Sequence, residues 1–307
     1  MQQRELGRSG LKVSALGLGC NNFGWLIDEA ASRQVIDRAL ELGINFFDTA
    51  DVYGDSELVL GRAFAGRRDR VIIATKFGIA REGLSGGASR SYVLQAAERS
   101  LQRLQTDYLD VLYLHRPDPK VPLEETLRAL EDLMRQGKVR HAAASNMSPE
   151  LLQEADRTAR AQQLHGFVAT QEPYSLLERG IDKSLLPAVQ QLHLSLIPYF
   201  PLASGLLTGK YQRGIAPAQG TRLAAWKNLA SGLTDQNFDR IERLEAFARA
   251  RGRSLVELAI AWLLHRPVVA SVIAGATKPS QLEANCRALD WNLSAQDMVQ
   301  IDQLAPA

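Results

Sequence analysis

Short apolar runs alternate with longer amphipathic stretches along most of the 307-residue chain. Eight of the apolar runs have the length of β-strands, and most are apolar at successive positions, as in parallel strands buried on both faces. They are LGLG (16–19), INFFD (44–48), VIIATK (71–76), DVLYLH (110–115), VRHAAAS (139–145), FVATQ (167–171), LSLIP (194–198) and VASVI (269–273). The pattern therefore predicts a mainly parallel sheet.

Between these runs, apolar residues recur at helical spacing, and the stretches carry helix-boundary residues. Ser32 is predicted to cap a helix that ends before Gly43. Further helices are predicted from Ser91 to Leu104, from Leu123 to Arg135, after Ser148 and after Ser254. Strands that alternate with helices over this length predict an α/β fold, a (β/α)8 TIM barrel, in one domain spanning residues 1–307.

A doubly wound sheet is the alternative fold. That fold commonly carries GxGxxG after its first strand, whereas the first strand here runs into GLGCNNFG. The segment 200–233 is rich in Gly, Ala and Pro without a clear period, and a loop this long in a compact domain is usually functional.

Polar residues stand where successive predicted strands end, and in a barrel these ends form the rim that carries chemistry. The second, third and fourth strands end in Asp48, Lys76 and His115; the fifth and sixth end in Ser145, Asn146 and Gln171. Each residue alone has an ordinary structural explanation. Because burying several such groups without partners costs a few kcal/mol each, we expect them to share one site.

The types of these residues suit proton transfer to a carbonyl oxygen. A carboxylate at Asp48 can hold the Lys76 ammonium, and a nearby ammonium lowers the pKa of a phenol. Tyr53 is the phenol just beyond this rim and becomes a candidate general acid, while His115 can orient the carbonyl. No side chain donates hydride, so a nicotinamide cofactor is implied.

Composition and charge limit the kinds of binding partner and the cell compartment that we expect. The net charge is +2, with Lys and Arg spread evenly, which argues against nucleic acid, and no apolar run has the length of a membrane span. The N-terminal segment lacks the apolar core of a signal peptide. Cys20 and Cys286 are isolated and the five histidines lack metal-ligand spacing, so we expect a cytoplasmic protein with reduced thiols and no metal.

Several motifs, in their order and spacing, resemble the aldo-keto reductase family over nearly the whole chain. They are RELGRSGLKVSALGLG (4–19), GINFFDTADVYGDSE (43–57), IATKFG (73–78), YLHRPD (113–118), SNMS (145–148), QEPYSLLER (171–179), PYFPLASGLLTGKY (198–211) and GATKPSQLEAN (275–285). The last motif is similar to the bacterial and potassium-channel β-subunit branch. The resemblance implies an NAD(P)H-dependent carbonyl reductase, a barrel with an N-terminal β-hairpin and long loops at the C-terminal side of the strands.

The resemblance also implies roles residue by residue. Asp48, Tyr53, Lys76 and His115 match the catalytic tetrad, with Tyr53 as proton donor. The implied cofactor-binding residues run from the nicotinamide to the adenosine end: Ser145, Asn146, Gln171, Tyr199, Leu202, Ser204, Gly205, Thr208, Lys210, Arg222, Gly275, Thr277, Lys278, Gln281 and Asn285. Gly275 and Gln281 stand where the aldose-reductase branch carries the Lys and Arg that bind the 2′-phosphate, and this departure weakens the argument for NADPH. The family resemblance still favours NADPH, while NADH stays possible.

The substrate is expected to be a small carbonyl compound in an aromatic pocket formed by Phe23, Trp25 and Trp226 beside the catalytic residues. Arg116 is a candidate for binding a substrate carboxylate, but its RPD context favours a salt-bridged turn. Two alternatives stay open: a redox-sensing module that binds the cofactor tightly and turns over slowly, and a Schiff-base enzyme using Lys76. The sequence leaves the physiological substrate and the oligomeric state open.

Overall fold

The structure, a computed structural model, describes residues 1–80, 86–219, 222–225 and 232–306. Strands β1 (Gln3–Glu5) and β2 (Lys12–Ser14) form an antiparallel hairpin. Eight further strands form one sheet: β3 (Leu16–Gly19), β4 (Phe46–Asp48), β5 (Ile72–Phe77), β6 (Leu109–Leu114), β7 (Val139–Ser145), β8 (Ala169–Pro173), β9 (Ser195–Tyr199) and β10 (Val272–Gly275).

All neighbouring strands of this sheet pair in parallel, in the order β10-β3-β4-β5-β6-β7-β8-β9. The ring closes where the Leu196 N–H donates to the Val268 carbonyl at 2.8 Å and the Ala270 N–H donates to the Leu196 carbonyl at 3.2 Å. The predicted (β/α)8 barrel and its N-terminal hairpin are therefore confirmed, and the doubly wound alternative is wrong.

Helices connect the strands on the outside of the barrel. Those of the described chain are α1 (Glu29–Glu41), α2 (Ser56–Ala63), α3 (Arg90–Leu104), α4 (Leu123–Arg135), α5 (Pro149–Ala161), α6 (Leu185–Gln191), α7 (Arg222–Ala225), α8 (Asp235–Arg249), α9 (Leu255–Leu264), α10 (Pro279–Cys286) and α11 (Ala295–Leu304). Short 3-10 turns lie at Arg68–Arg70, Ala203–Thr208 and Arg287–Asp290. None of the described helices has the length and apolar character needed to cross a membrane.

The apolar side chains divide into two cores, because successive residues of a strand point to opposite faces. Phe46 points into the barrel, where the hairpin residues Leu6 and Val13 close the N-terminal end. Phe47 points outward and packs against Phe64 of the helical layer, with ring centroids 4.8 Å apart. Asp48 follows in the inward direction of Phe46, so the strand aims its carboxylate at the barrel axis.

All eight predicted strands are present, with ends that differ by up to three residues. The caps at Ser148 and Ser254 are confirmed, but the cap at Ser32 is wrong. Helix α1 begins at Glu29 because Asp28 accepts the Ala31 N–H at 2.8 Å. Ser32 lies inside the first turn, where its hydroxyl donates to the Asp28 carbonyl at 2.6 Å.

Candidate active site

A buried ion pair lies at the C-terminal rim of the barrel. The Lys76 ammonium donates to Asp48 Oδ2 at 2.6 Å and to the Thr49 carbonyl at 2.8 Å. The second carboxylate oxygen, Oδ1, accepts from the Gln171 amide at 2.8 Å across the barrel. Lys76 is 0% exposed and Asp48 is 4% exposed, so both charges are satisfied by protein groups rather than by solvent.

The charge state of Lys76 follows from these partners. Burial lowers its pKa, but the negative charge of Asp48 and the neighbouring Tyr53 phenol outweigh that effect, and the pKa lies above its usual value. The ammonium nitrogen lies 5.0 Å from the centre of the Tyr53 ring, and the two side chains also interact by a hydrogen bond. Lys76 is therefore a fixed cation beside a phenol.

The loop that carries Tyr53 is held on both sides. Between β4 and α2, the Thr49 hydroxyl donates to Ser56 Oγ at 2.8 Å, and the Ser56 hydroxyl donates to the Cys20 carbonyl at 2.8 Å. On the outer side, the Arg103 guanidinium donates to the Gly54 carbonyl. These bonds position Tyr53, half-buried, over the ion pair.

His115 follows β6 and faces Tyr53 edge to face, with ring centroids 5.8 Å apart. Burial, assisted by the positive charges of Lys76 and Arg116, lowers the pKa of His115 to about 2. The imidazole is therefore neutral near pH 7. Its Nδ1 is buried and has no hydrogen-bond partner among the residues that the structure describes, so no hydrogen bond at Nδ1 fixes its tautomer.

Asn146 links three strand ends. It has a φ of +58°, a left-handed conformation that asparagine adopts more readily than most residues. Its amide donates to the His115 carbonyl at 2.9 Å and to Ser145 Oγ at 3.0 Å, and its oxygen accepts from the Tyr199 hydroxyl at 2.8 Å. Burial raises the pKa of Tyr199 to about 12, which keeps that hydroxyl a donor.

Glu172 lies next to this group and was not foreseen from the sequence. Its Oε1 accepts from the Thr170 hydroxyl at 2.6 Å and from the Met147 N–H at 3.0 Å, and the side chain is 3% exposed. Burial raises the pKa of Glu172 to about 7. A glutamate at the end of a buried strand was the available signal, one residue after the predicted Gln171.

These residues lie at one end of a cleft of about 720 Å³. We call the end lined by Asp48, Tyr53, His115 and Gln171 the inner end. The outer end is lined by Lys210, Gly275, Thr277, Lys278 and Gln281. All the predicted cofactor-binding residues line the cleft except Arg222, whose side chain is outside the description.

Backbone geometry shapes the outer end. Ala203, Ser204 and Gly205 have φ values of +47°, +57° and +98°, so the chain turns tightly here, and the Ala203 and Gly205 N–H groups donate to the Phe200 and Leu202 carbonyls, each at 2.8 Å. A Cβ at Gly205 would lie 3.1 Å from the end of the Lys210 side chain. Gln281 fixes the start of α10, because its Oε1 accepts the Thr277 N–H at 2.7 Å.

The predicted aromatic substrate pocket differs from the observed cleft. Phe23 is 0% exposed and packs in the core between the barrel and the helices. A turn closed by the hydrogen bond from the Gly24 N–H to the Ile27 carbonyl directs its ring toward that core. Trp25 is 54% exposed, and neither residue is among the described residues that line the cleft. Trp226 lies outside the described residues. Asp51, on the loop between Asp48 and Tyr53, is buried.

Other cleft-lining residues were not predicted as contacts. They come mainly from the ends of β3 and β9 and from two helices: Cys20, Asn21, Asn22, Leu26, Phe200, Pro201, Val256 and Ala284. Their position just after predicted strands was the available signal. Within the described ranges, no group of three His, Cys, Asp or Glu side chains is placed to hold a metal ion.

Comparison with known proteins agrees with this geometry. The Aldo/keto reductase family model matches residues 15–306. The chain is 38% identical to L-glyceraldehyde 3-phosphate reductase of Escherichia coli (strain K12), covering 99% of this chain and 92% of that protein. It is 38% identical to a probable voltage-gated potassium channel subunit beta of Oryza sativa subsp. japonica (94% and 92% covered) and 35% identical to probable aldo-keto reductase 1 of Glycine max (100% and 89% covered).

The family match over nearly the whole chain and the relatives named as reductases support an oxidoreductase. The buried Asp48–Lys76 pair beside Tyr53 and His115, on the rim of a (β/α)8 barrel, lies within the matched region. This chain belongs to the aldo/keto reductase family.

Proposed function

We propose that the protein reduces the carbonyl group of aldehydes or ketones to an alcohol with NAD(P)H, and that Tyr53 supplies the proton. The observation that carries the proposal is the fully buried Lys76 ammonium, paired with Asp48 and lying 5.0 Å from the centre of the Tyr53 ring. A fixed cation in a site of low dielectric stabilises the phenolate that remains after the proton has left.

The cleft fits a nicotinamide dinucleotide. Its outer end carries Lys210 and Lys278, whose positive charges suit phosphates, and Tyr199 and the Asn146 and Gln171 amides line the same cleft nearer the catalytic residues. These residues would hold the cofactor, together with Ser145, Leu202, Ser204, Gly205, Thr208 and Asn285. When bound, the nicotinamide supplies the hydride. The lysines support NADPH, with NADH as the alternative cofactor.

The protein's own residues account for the proton. Tyr53 donates it to the carbonyl oxygen, and Lys76, held by Asp48, stabilises the charge left on the phenol. His115 is neutral, so it orients the carbonyl by a hydrogen bond without competing as the acid. Gln171 keeps the Asp48 carboxylate directed at Lys76. Lys76 and His115 act in the protonation states that their surroundings favour, a cation and a neutral imidazole.

The same geometry argues against a Schiff-base mechanism. A lysine that forms an imine must be a neutral amine, and such lysines commonly have a lowered pKa. The pKa of Lys76 is raised, and its ammonium already donates to Asp48 and to the Thr49 carbonyl.

A redox-sensing module with slow turnover is the second candidate. The observation that favours it is the 38% identity to a probable channel β-subunit. The two functions differ in rate. A sensor would release its cofactor slowly and form alcohol slowly, whereas an enzyme would form alcohol quickly. Stopped-flow measurement of cofactor release, set against the rate of alcohol formation, separates them.

The experiment that tests the proposed function mixes the purified protein with NADPH and a panel of neutral and charged aldehydes. We expect loss of absorbance at the wavelength of the reduced nicotinamide, with one alcohol formed for each NADPH consumed. Fluorescence titration of NADPH binding runs in parallel. If the protein neither binds nor consumes NADPH or NADH with any aldehyde, the proposed function is wrong.

A further inference from the structure

Arg116 brings a positive charge to the inner end of the cleft. It follows His115 directly at the end of β6, and its side chain lines the cleft. Its charge is near enough to help lower the pKa of His115 and to oppose the rise in the pKa of Tyr199. Arg116 therefore lines the same cleft as Tyr53 and His115, with its side chain exposed to solvent.

The salt-bridged turn predicted for Arg116 is wrong. The carboxylate of Asp118, two residues later, accepts instead from the Lys120 N–H at 3.0 Å and the Ala88 N–H at 3.3 Å. Within the described part of the chain, Arg116 forms no ion pair with any carboxylate. Its charge is therefore not neutralised by the protein in the way that Lys76 is neutralised by Asp48.

The other charged residues of the cleft differ from Arg116 in their pairing or in their position. Among the described residues that line the cleft, Asp48 is the one acidic residue, and the Lys76 ammonium neutralises its charge. Of the remaining cations, Lys210 and Lys278 lie at the outer end with Gln281, where they suit cofactor phosphates. Arg116 lies at the inner end, beside the groups that face a carbonyl substrate.

The backbone before Arg116 is also fixed. The Asn146 amide donates to the His115 carbonyl at 2.9 Å, and Asn146 is itself held by the Tyr199 hydroxyl at 2.8 Å. The chain therefore leaves β6 in a defined direction, and the arginine starts from a rigid base. A guanidinium on such a base can offer two parallel donors to a planar anion.

We propose that Arg116 binds an anionic group, a carboxylate or a phosphate, carried by the carbonyl substrate. Arg116 is then a specificity-determining residue, and the preferred substrates are acidic aldehydes or ketones in which a short spacer separates the anion from the carbonyl. The inference rests on the proposed reductase function. It goes beyond that function because neutral aldehydes would satisfy the catalytic residues equally well.

The test uses matched pairs of aldehydes that differ in charge. Succinic semialdehyde is compared with butanal, and glyceraldehyde 3-phosphate with glyceraldehyde, each with NADPH. The selectivity is the ratio of kcat/KM for the anionic member to kcat/KM for its neutral partner. We expect Arg116→Gln to lower this ratio by about ten- to a hundredfold, as for the loss of hydrogen bonds to a charged group, chiefly by raising the KM of the anionic substrate.

Two further variants keep the test decisive. Arg116→Lys retains the charge without the fork of donors, so we expect an intermediate ratio. Arg157 is an exposed arginine of α5 that does not line the cleft. Arg157→Gln should therefore leave the ratio within about twofold of the wild-type value. A larger loss for the phosphate pair than for the carboxylate pair identifies phosphate as the anion, and the reverse identifies carboxylate.

Two outcomes would overturn the inference while leaving the reductase function intact. In the first, both members of each pair are turned over, and the ratio of their kcat/KM values is the same in wild type and in Arg116→Gln. The other is an equal fall for anionic and neutral aldehydes, with a matching loss of NADPH affinity, which would place Arg116 in the cofactor site. Absence of turnover with every aldehyde in wild type contradicts the proposed function instead.

Discussion

At the inner end of the cleft the polar side chains bind one another, whereas at the outer end they lie on exposed loops around the start of α10. Lys76 is 0% exposed and donates to two protein oxygens. Lys278 is exposed and has no ion pair among the described residues. Lys76 and Lys278 are therefore held in opposite ways, the first by buried protein partners and the second exposed on the rim of the cleft.

The difference indicates how each end works. Groups that stabilise charge during a reaction act best when they are already in place and shielded from water. Asp48, Gln171 and Asn146 meet that condition because every one of them is held by protein partners. The outer end instead offers cations to a charged ligand, and water can replace that ligand when it leaves.

The largest expected effect is that of Tyr53→Phe, which removes one oxygen from the inner end. We expect kcat to fall by about 10²- to 10⁴-fold, the range for loss of a general acid. NADPH affinity should stay within about twofold, because the ring that contributes to packing is retained. Steady-state kinetics and fluorescence titration measure the two quantities. Wild-type turnover in this variant would remove Tyr53 from the mechanism.

Lys76→Met tests the claim that the inner end is held by its own charges. The variant leaves the Asp48 carboxylate buried without its counter-charge, so we expect the free energy of unfolding to fall by about 3–5 kcal/mol. Equilibrium unfolding in urea measures it. Lys278→Met makes the same chemical change at the outer end, where an exposed side chain should shift stability by less than about 0.5 kcal/mol.

The double variant Asp48→Asn/Lys76→Met serves as the control. Removing both charges should recover part of the lost stability while activity stays absent. Equal losses for Lys76→Met and Lys278→Met would contradict the contrast between the two ends.

The inner end could be predicted from strand ends alone because the barrel brings consecutive ends together. Asp48, Lys76 and His115 each follow a recognisable apolar run, and β4, β5 and β6 are neighbours. The bond between Gln171 and Asp48 joins residues 123 positions apart. It depends on closure of the ring, which no local pattern specifies.

The start of α1 and the direction of loop side chains could not be predicted, because the sequence allows more than one arrangement. Asp28 and Ser32 are both good N-cap residues one helical turn apart, and the structure uses the first. Phe23 and Trp25 stand two residues apart after β3, yet one is buried and the other exposed, since the direction of a side chain in an irregular loop follows the path of the chain. The outer end lies on segments without periodicity, so its residues were predicted from the family resemblance alone.

Glu172→Gln tests whether the inner end is sensitive to protonation. The folded protein raises the pKa of Glu172 to about 7, so its contribution to stability is present at acidic pH and is lost as pH rises through about 7. Glutamine keeps an oxygen that can accept from Thr170 and Met147 but does not ionise. We expect similar stabilities near pH 4 and a variant that is more stable than wild type by on the order of 1–3 kcal/mol near pH 8.

Urea unfolding across this pH range measures the difference between the two proteins. Parallel stability curves would show that Glu172 does not titrate in the folded protein. A variant that is less stable at every pH would show that the bonds to Thr170 and Met147 require the carboxylate.

The smallest expected effects are those of Lys210→Gln and Lys278→Gln at the outer end. Each removes an exposed cation, so the Kd for NADPH should rise by about two- to fivefold. The rise should shrink in high salt, since exposed charges are screened, whereas the effect of Lys76→Met on stability should persist because its pair is buried. Titration with NADH separates two roles: a lysine that binds the 2′-phosphate weakens NADPH alone, and one that binds the pyrophosphate weakens both. A salt-independent loss would mean that the outer end is as enclosed as the inner end once the cofactor is bound.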